Sequence, residues 1–395
     1  MNNKVEKIPL TEEAKNSILY VSDKPDIIME KGKGMYLWDT TGKKYLDFIA
    51  GWAVNSLGHC PEVIIKALEY QSKTLINSSP AFYNKPMINF SKLLINNSCF
   101  DRVFFSTSGA EANESAIKLA KKYGTKYLNG AFEIITTTNS FHGRTLATMA
   151  ATGKPNWKNL YKPYYPGFSH VAFNDIKAIK NKINKNTCAI MLEPIQGEGG
   201  INLGNLEYFK EIRKLCTDNG ILLILDEIQT GIGRTGKLFA YNHFDIEPDI
   251  MTIAKGIGGG FPLSAMLTKN KLNIFNKGDQ GGTYTGQPLA MSVGYAVLNR
   301  VIEEKLWLNA EIQGKYIIEN LNKLKDNGKI KSVRGMGLLI GIVLNKENGD
   351  QIVNSCLKNG LIVNSPKSNM LRLMPSLTVE KNHINNMIDI IKEII

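Results

Sequence analysis

The chain has 395 residues, 43% of them hydrophobic, enough to bury a large core in two or three domains. Its formal charge is +12, but the basic residues are dispersed among acids, as in Glu303-Glu304-Lys305, with no stripe to track a nucleic-acid backbone. The five cysteines (Cys60, Cys99, Cys188, Cys216, Cys356) lack ligand spacing, so they read as reduced thiols and no metal site is expected. No apolar run reaches eighteen residues, and residues 1–7 lack the apolar core of a signal peptide. A cytoplasmic protein without a membrane or nucleic-acid partner is expected.

In chain order, residues 1 to about 30 read as an arm with a short helix. Residues 34–48 alternate apolar and polar around a turn at Asp39 and Gly42, which predicts two strands. Pro61 opens a helix expected to run to about Asn77, with Val63, Ile64, Ala67, Leu68 and Leu75 on its apolar face.

The strand pattern Val103-Phe104-Phe105 runs into Ser106-Thr107-Ser108-Gly109-Ala110, and Ser108 with Glu111 forms a capping box for a helix predicted to end near Gly124. The free N–H groups of Gly109 and Ala110 would make an anion site suited to a phosphate, although a capped helix can equally bind only water. A second strand, 133–138, leads to Phe141, His142 and Arg144, residues able to stack on a flat ring and clamp a carboxylate. A core phenylalanine beside a surface arginine would read the same way. Strand 189–192 enters a glycine-rich loop carrying Glu193 and Glu198, and a strand over 221–229 presents Asp226 and Gln229. This alternation of strands and helices from about 100 to 270 argues a predominantly parallel sheet with one functional edge.

Lys255 follows Ile253-Ala254 and precedes Gly256, Gly258, Gly259 and Gly260. It either snorkels to solvent or is desolvated, which would lower its pKa and free its amine to condense with a carbonyl. Its company decides between these. Successive strand ends offer a helix N-terminus, an aromatic ring, acids, an amide and a lysine, the set that pyridoxal 5′-phosphate uses. Gly109 and Ala110 suit its phosphate, Phe141 and Ile228 its two faces, Asp226 its pyridinium nitrogen, Gln229 its phenolic oxygen and Lys255 its aldehyde.

The stretches Ser108-Gly109-Ala110-Glu111-Ala112-Asn113-Glu114, Phe141-His142-Gly143-Arg144-Thr145, Glu193-Pro194-Ile195-Gln196-Gly197-Glu198-Gly199, Asp226-Glu227-Ile228-Gln229-Thr230-Gly231 and Ala254-Lys255-Gly256 together resemble the class III (subgroup II) pyridoxal-phosphate aminotransferases. The resemblance runs essentially from end to end and implies fold type I. That is an α/β fold with a seven-stranded, mostly parallel sheet in a large domain, 61–295. A small α+β domain, 296–395, is joined by the N-terminal segment, 1–60. It also implies a homodimer with active sites at the interface.

Carried over by motif, Gly109 and Ala110 hold phosphate, Phe141 stacks on the ring, Asp226 and Gln229 tune it, and Lys255 is the Schiff-base lysine. Thr283 reaches the phosphate of the neighbouring subunit. Within the family the pattern is nearest to members acting on N2-acetylornithine. Arg144 would then bind the α-carboxylate of that donor and Arg372 the α-carboxylate of glutamate or 2-oxoglutarate, with Glu198 a gate that pairs with Arg372. The implied reaction transfers the δ-amino group to 2-oxoglutarate; another ω-amine, N-succinyl-diaminopimelate, ornithine or 4-aminobutyrate, is the alternative donor.

The chain departs from the family pattern in places. Gly282 stands where a hydroxyl residue linked to acetylornithine contact is usual, and Gln287 where asparagine is commoner. Gly51 stands where ornithine-specific members carry a tyrosine, which favours an acylated donor. Beyond residue 296, Leu298, Val301, Ile302 and Leu306 mark a helix, a second is expected near 308–326, residues 331–344 read as a strand pair, and 384–395 as a closing amphipathic helix.

Overall fold

The computed structural model describes residues 9–395. Its seven-stranded sheet has the spatial order Arg102–Ser106, Ser264–Thr268, Ile250–Ile253, Leu222–Asp226, Thr187–Leu192, Glu133–Thr137, Phe168–Val171. Ser264–Thr268 runs antiparallel to both neighbours, and the other pairings are parallel. The three central strands are buried throughout, which is why they read as unbroken apolar runs rather than alternating ones. Their side chains still alternate between faces. Ile190, Leu192, Leu223, Leu225, Met251 and Ile253 join one core cluster, while Ala189, Met191, Leu222, Ile224 and Ile250 join another.

The helix Gly109–Tyr127 packs on the second face through Ala116, Ala120 and neighbours, small residues that let it lie close to the strands. It continues past Gly124, where its end was predicted. A Cβ on Gly124 would lie 1.9 Å from the Ala131 carbonyl oxygen, so that glycine serves a close approach and not a helix stop. The helix after Pro61 spans Glu62–Thr74, shorter than expected, because the Gln71 side-chain amide donates to the Leu75 carbonyl and the chain there turns extended. The helix expected near 308–326 is Leu306–Asn322, followed by a short 3₁₀ turn.

Two four-stranded sheets flank this layer. Met29–Lys33, Tyr36–Asp39 and Lys44–Asp47 form one, completed by Leu361–Ile362, which pairs parallel with Lys44–Asp47 across more than 300 residues of chain. The other joins Ile330–Met336, Leu339–Leu344, Met370–Leu373 and Asn364–Lys367, all antiparallel. The helix Lys381–Ile394 buries Ile384, Met387 and Ile391 on one stripe. Among the described residues no helix is long and apolar enough to cross a membrane.

Candidate active site

Most of the predicted site residues meet in one cavity of about 450 Å³ at the carboxyl ends of the parallel strands. Gly109, Ala110, Phe141, Arg144, Glu198, Asp226, Gln229 and Lys255 all line it. At the start of the helix Gly109–Tyr127 the capping box is formed: Glu111 accepts from the backbone N–H of Ser108 at 2.7 Å, and Ser108 Oγ accepts from Glu111 N–H. The N–H groups of Gly109 and Ala110 have no acceptor among the described residues. A Cβ on Gly109 would come within 2.9 Å of Ile228 Cδ1, so glycine lets the Ile228 side chain lie against the helix start.

Asp226 is the best-held carboxylate in the cavity. Its Oδ2 accepts from Asn113 Nδ2 and bonds His142 Nδ1, each at 2.8 Å, and its Oδ1 accepts the Ile228 N–H at 3.1 Å. Asn113 is fixed in turn by Thr252 Oγ1, which donates to its Oδ1 at 2.7 Å, and by its own donation to the His142 carbonyl. Nearby, both polar atoms of the Gln229 amide are buried and unpartnered, and a Cβ on Gly197 would fall 1.6 Å from its oxygen. An orphaned amide beside a fixed carboxylate is a polar surface shaped for a guest.

Lys255 sits just past the strand Ile250–Ile253, in the left-handed region at φ +47. A non-glycine residue there carries roughly 1–3 kcal/mol of strain, which the surrounding structure must impose. Burial lowers its pKa, and although Glu198, Asp226 and Glu193 pull the other way, the net direction is downward. Its amine has no hydrogen-bond or ion-pair partner among the described residues, so it is free to act as a nucleophile or base. The following Gly256 carbonyl accepts from Ser56 Oγ at 2.7 Å. Just before Ser56, residues 50–53 form a left-handed turn with φ from 44° to 66°, held by Asp47, which accepts the N–H groups of Ile49 and Ala50.

Arg372 is fully buried on the strand Met370–Leu373 of a flanking sheet. Its Nη1 donates to Glu198 Oε1 at 2.5 Å and to the Gly197 carbonyl, its Nε donates to Asn364, and its Nη2 is buried without a partner. Burial pushes the Glu198 pKa up, yet Arg372 and Lys255 outweigh this and hold it below the ordinary value. Arg144 is exposed, lies 5.0 Å from the Trp157 ring centroid, and has no ion pair among the described residues. Thr283 and Gly282 do not reach this cavity; they are exposed and line a separate one with Glu111 and Gln280.

The family model for aminotransferase class-III matches residues 20–395. The chain belongs to the class III aminotransferases. It is 46% identical over 377 residues to acetylornithine aminotransferase 2 of Bordetella pertussis, which covers 95% of each chain. Among solved structures, the acetylornithine aminotransferase of Elizabethkingia anophelis superposes with a TM-score of 0.87 at 33% identity, covering 98% of each chain. The ornithine aminotransferase of Toxoplasma gondii, described with partial occupancy of PLP at its active site, gives 0.93 at 30% identity, over 98% of this chain and 93% of that one.

The residues of this aminotransferase suit the family's cofactor, pyridoxal 5′-phosphate. Unpaired N–H groups await an anion, the orphaned Gln229 amide awaits a polar oxygen, and Asp226 has one lone-pair position left for a ring N–H. Asn113 and Lys154 have no role legible in the sequence, and Glu193 is legible there only as one of the loop's two acids. Asn113 offered a faint signal, an amide on the buried face of a helix whose other buried residues are small or apolar, Ser115 apart. Lys154 offered none, since only the fold brings its amine within 5.4 Å of the Phe141 centroid.

Proposed function

We propose that this aminotransferase binds pyridoxal 5′-phosphate and moves the δ-amino group of N2-acetyl-L-ornithine to 2-oxoglutarate, giving N-acetyl-L-glutamate 5-semialdehyde and glutamate. The observation that carries this is the unequal state of two arginines, Arg144 on the lining of the Lys255 cavity and Arg372 outside that lining but bonded to Glu198, which belongs to it. Arg144 is unpaired and open, while Arg372 is buried and half-occupied by Glu198. A donor bearing one carboxylate needs one standing site; an acceptor bearing two needs a second site that opens for it. The relatives named for acetylornithine support that donor.

When bound, the cofactor supplies an aldehyde that accepts the amino group and a ring that draws off electrons. Gly109 and Ala110 would hold its phosphate, Asp226 its ring nitrogen and Gln229 its phenolic oxygen, with Phe141 and Ile228 against the ring. Lys255 Nζ, whose pKa is lowered by burial, would take the proton from the substrate carbon that bears nitrogen and return it elsewhere, a role worth about 10²–10⁴-fold. Arg144 orients the donor by its α-carboxylate. Glu198 leaves Arg372 when 2-oxoglutarate arrives, and the planar guanidinium then grips the α-carboxylate with two parallel bonds.

On this reading the chain divides into segments 1–60, 61–295 and 296–395 and works in the cytoplasm as a homodimer. Thr283 would then reach the partner's phosphate, and Gly282 would lie beside the donor.

The test is an absorption titration of the cofactor-loaded protein with N2-acetylornithine and with ornithine, each without keto acid. Far more efficient bleaching by N2-acetylornithine is the expected result. Bleaching by glutamate but by neither amine would discard this donor.

A further inference from the structure

Glu193 follows the strand Thr187–Leu192 and opens the loop that carries Glu198. It is 7% exposed and lines the same cavity as Lys255, Asp226 and Gln229. Two of the three acids of this cavity are paired: Asp226 with Asn113 and His142, and Glu198 with Arg372. Among the described residues Glu193 has no ion pair, and its buried Oε2 has no hydrogen-bond partner. A carboxylate so placed would leave an unpaired charge in a desolvated space, whereas a carboxylic acid would leave only an O–H still to be matched.

The groups that face it agree. Burial raises its pKa well above the ordinary value, and the negative charges of Asp226 and Glu198 add to this. Lys255 and the Phe141 backbone N–H oppose them without reversing the direction. Gln229, its neighbour in the cavity, has an unpartnered amide oxygen as well as an unpartnered nitrogen.

We propose that Glu193 is a neutral carboxylic acid in the working enzyme, a positioning residue whose Oε2 hydroxyl donates a hydrogen bond into the cofactor pocket beside Lys255. This rests on the reading of the cavity as the cofactor site. The proton has a second consequence. With Glu193 uncharged, one anion fewer favours the protonated form of Lys255.

The first experiment needs no cofactor. Infrared difference spectra of the cofactor-free protein, wild type minus Glu193→Gln, should contain the C=O band of a protonated carboxyl at neutral pH. A carboxylate band alone would overturn the proposal.

The second compares cofactor-loaded Glu193→Gln and Glu193→Leu, each shown by its Tm to be folded. Glu193→Gln keeps a neutral donor, so the midpoint of the pH titration of the cofactor absorbance should stay where it is. Glu193→Leu removes the donor and should bind cofactor about tenfold more weakly, or worse. A midpoint displaced in Glu193→Gln by about a full unit or more would mean that a charge had been removed, and the proposal would fall. Unweakened cofactor binding in Glu193→Leu would remove the donor role. If the protein takes up no cofactor at all, the function proposed above fails, while the infrared band still decides the state of Glu193.

Discussion

Glu198 Oε1 lies 2.5 Å from Arg372 Nη1, joining the glycine-rich loop after the strand Thr187–Leu192 to a strand of a different sheet. The pair couples the two parts of the chain through a charge that can be withdrawn, because Glu198 is only partly buried whereas Arg372 is wholly so. Glu198→Gln weakens the competitor for Arg372. The half-reaction with glutamate should quicken relative to that with N2-acetylornithine, by about tenfold if one charge-assisted bond is relieved. Single-turnover bleaching with each donor measures this ratio, and an unchanged ratio would remove the gate role.

Arg372→Lys keeps the charge but loses the planar fork. The kcat/KM for 2-oxoglutarate should fall about 10²-fold, the equivalent of about 3 kcal/mol for a lost bidentate contact. The first half-reaction with N2-acetylornithine should be far less affected. Equal losses in both halves would show that Arg372 only supports the fold.

Lys255→Ala removes the sole unpaired, desolvated amine of the cavity's lining. Turnover should be lost, and with it the visible absorbance of the loaded wild-type protein. A variant that keeps both would end the assignment of Lys255.

Asn113→Ala takes a donor from Asp226 and leaves both the His142 carbonyl and Thr252 Oγ1 without their present partner. Each stranded buried group costs about 1–3 kcal/mol, so Tm should fall by several degrees. Cofactor affinity should fall as well. Calorimetry with and without cofactor separates the two effects, and Asn113→Asp, which cannot donate when ionised, should not restore either.

Glu227, next to Asp226, is buried, and its carboxylate accepts the N–H groups of Ala240 and Tyr241 at 2.6 and 2.7 Å. Burial nevertheless raises its pKa to about 7. An acid whose folded pKa is raised contributes stability that is fully present below its unfolded value, near 4.5, and is lost as pH rises through about 7. Wild type should therefore lose about 3 kcal/mol relative to Glu227→Gln between pH 4.5 and pH 8. Paired Tm measurements across that range give the difference directly, and parallel curves would disprove it.

The sheet and much of the cavity are legible along the chain because their signals are local. Buried parallel strands read as apolar runs, the Ser108–Glu111 capping box is complete within four residues, and each strand end announces its own polar group. The chain itself also specified the order in which Gly109, Phe141, Glu198, Asp226 and Lys255 would appear at the strand ends. It could not show the left-handed backbone at Lys255, since no local pattern demands strain that distant contacts impose. One such contact is Ser56, which donates to the Gly256 carbonyl while its own carbonyl accepts from Leu377 N–H and Ser376 Oγ. Residues 56, 256 and 376 meet only when the chain has closed. The partnering of charges was decided there too: Glu198 and Glu193 stand five residues apart on one loop, yet one finds an arginine and the other finds none. Sequence supplies the titratable groups, but whether each keeps its proton depends on the dielectric and the partners that packing brings to it.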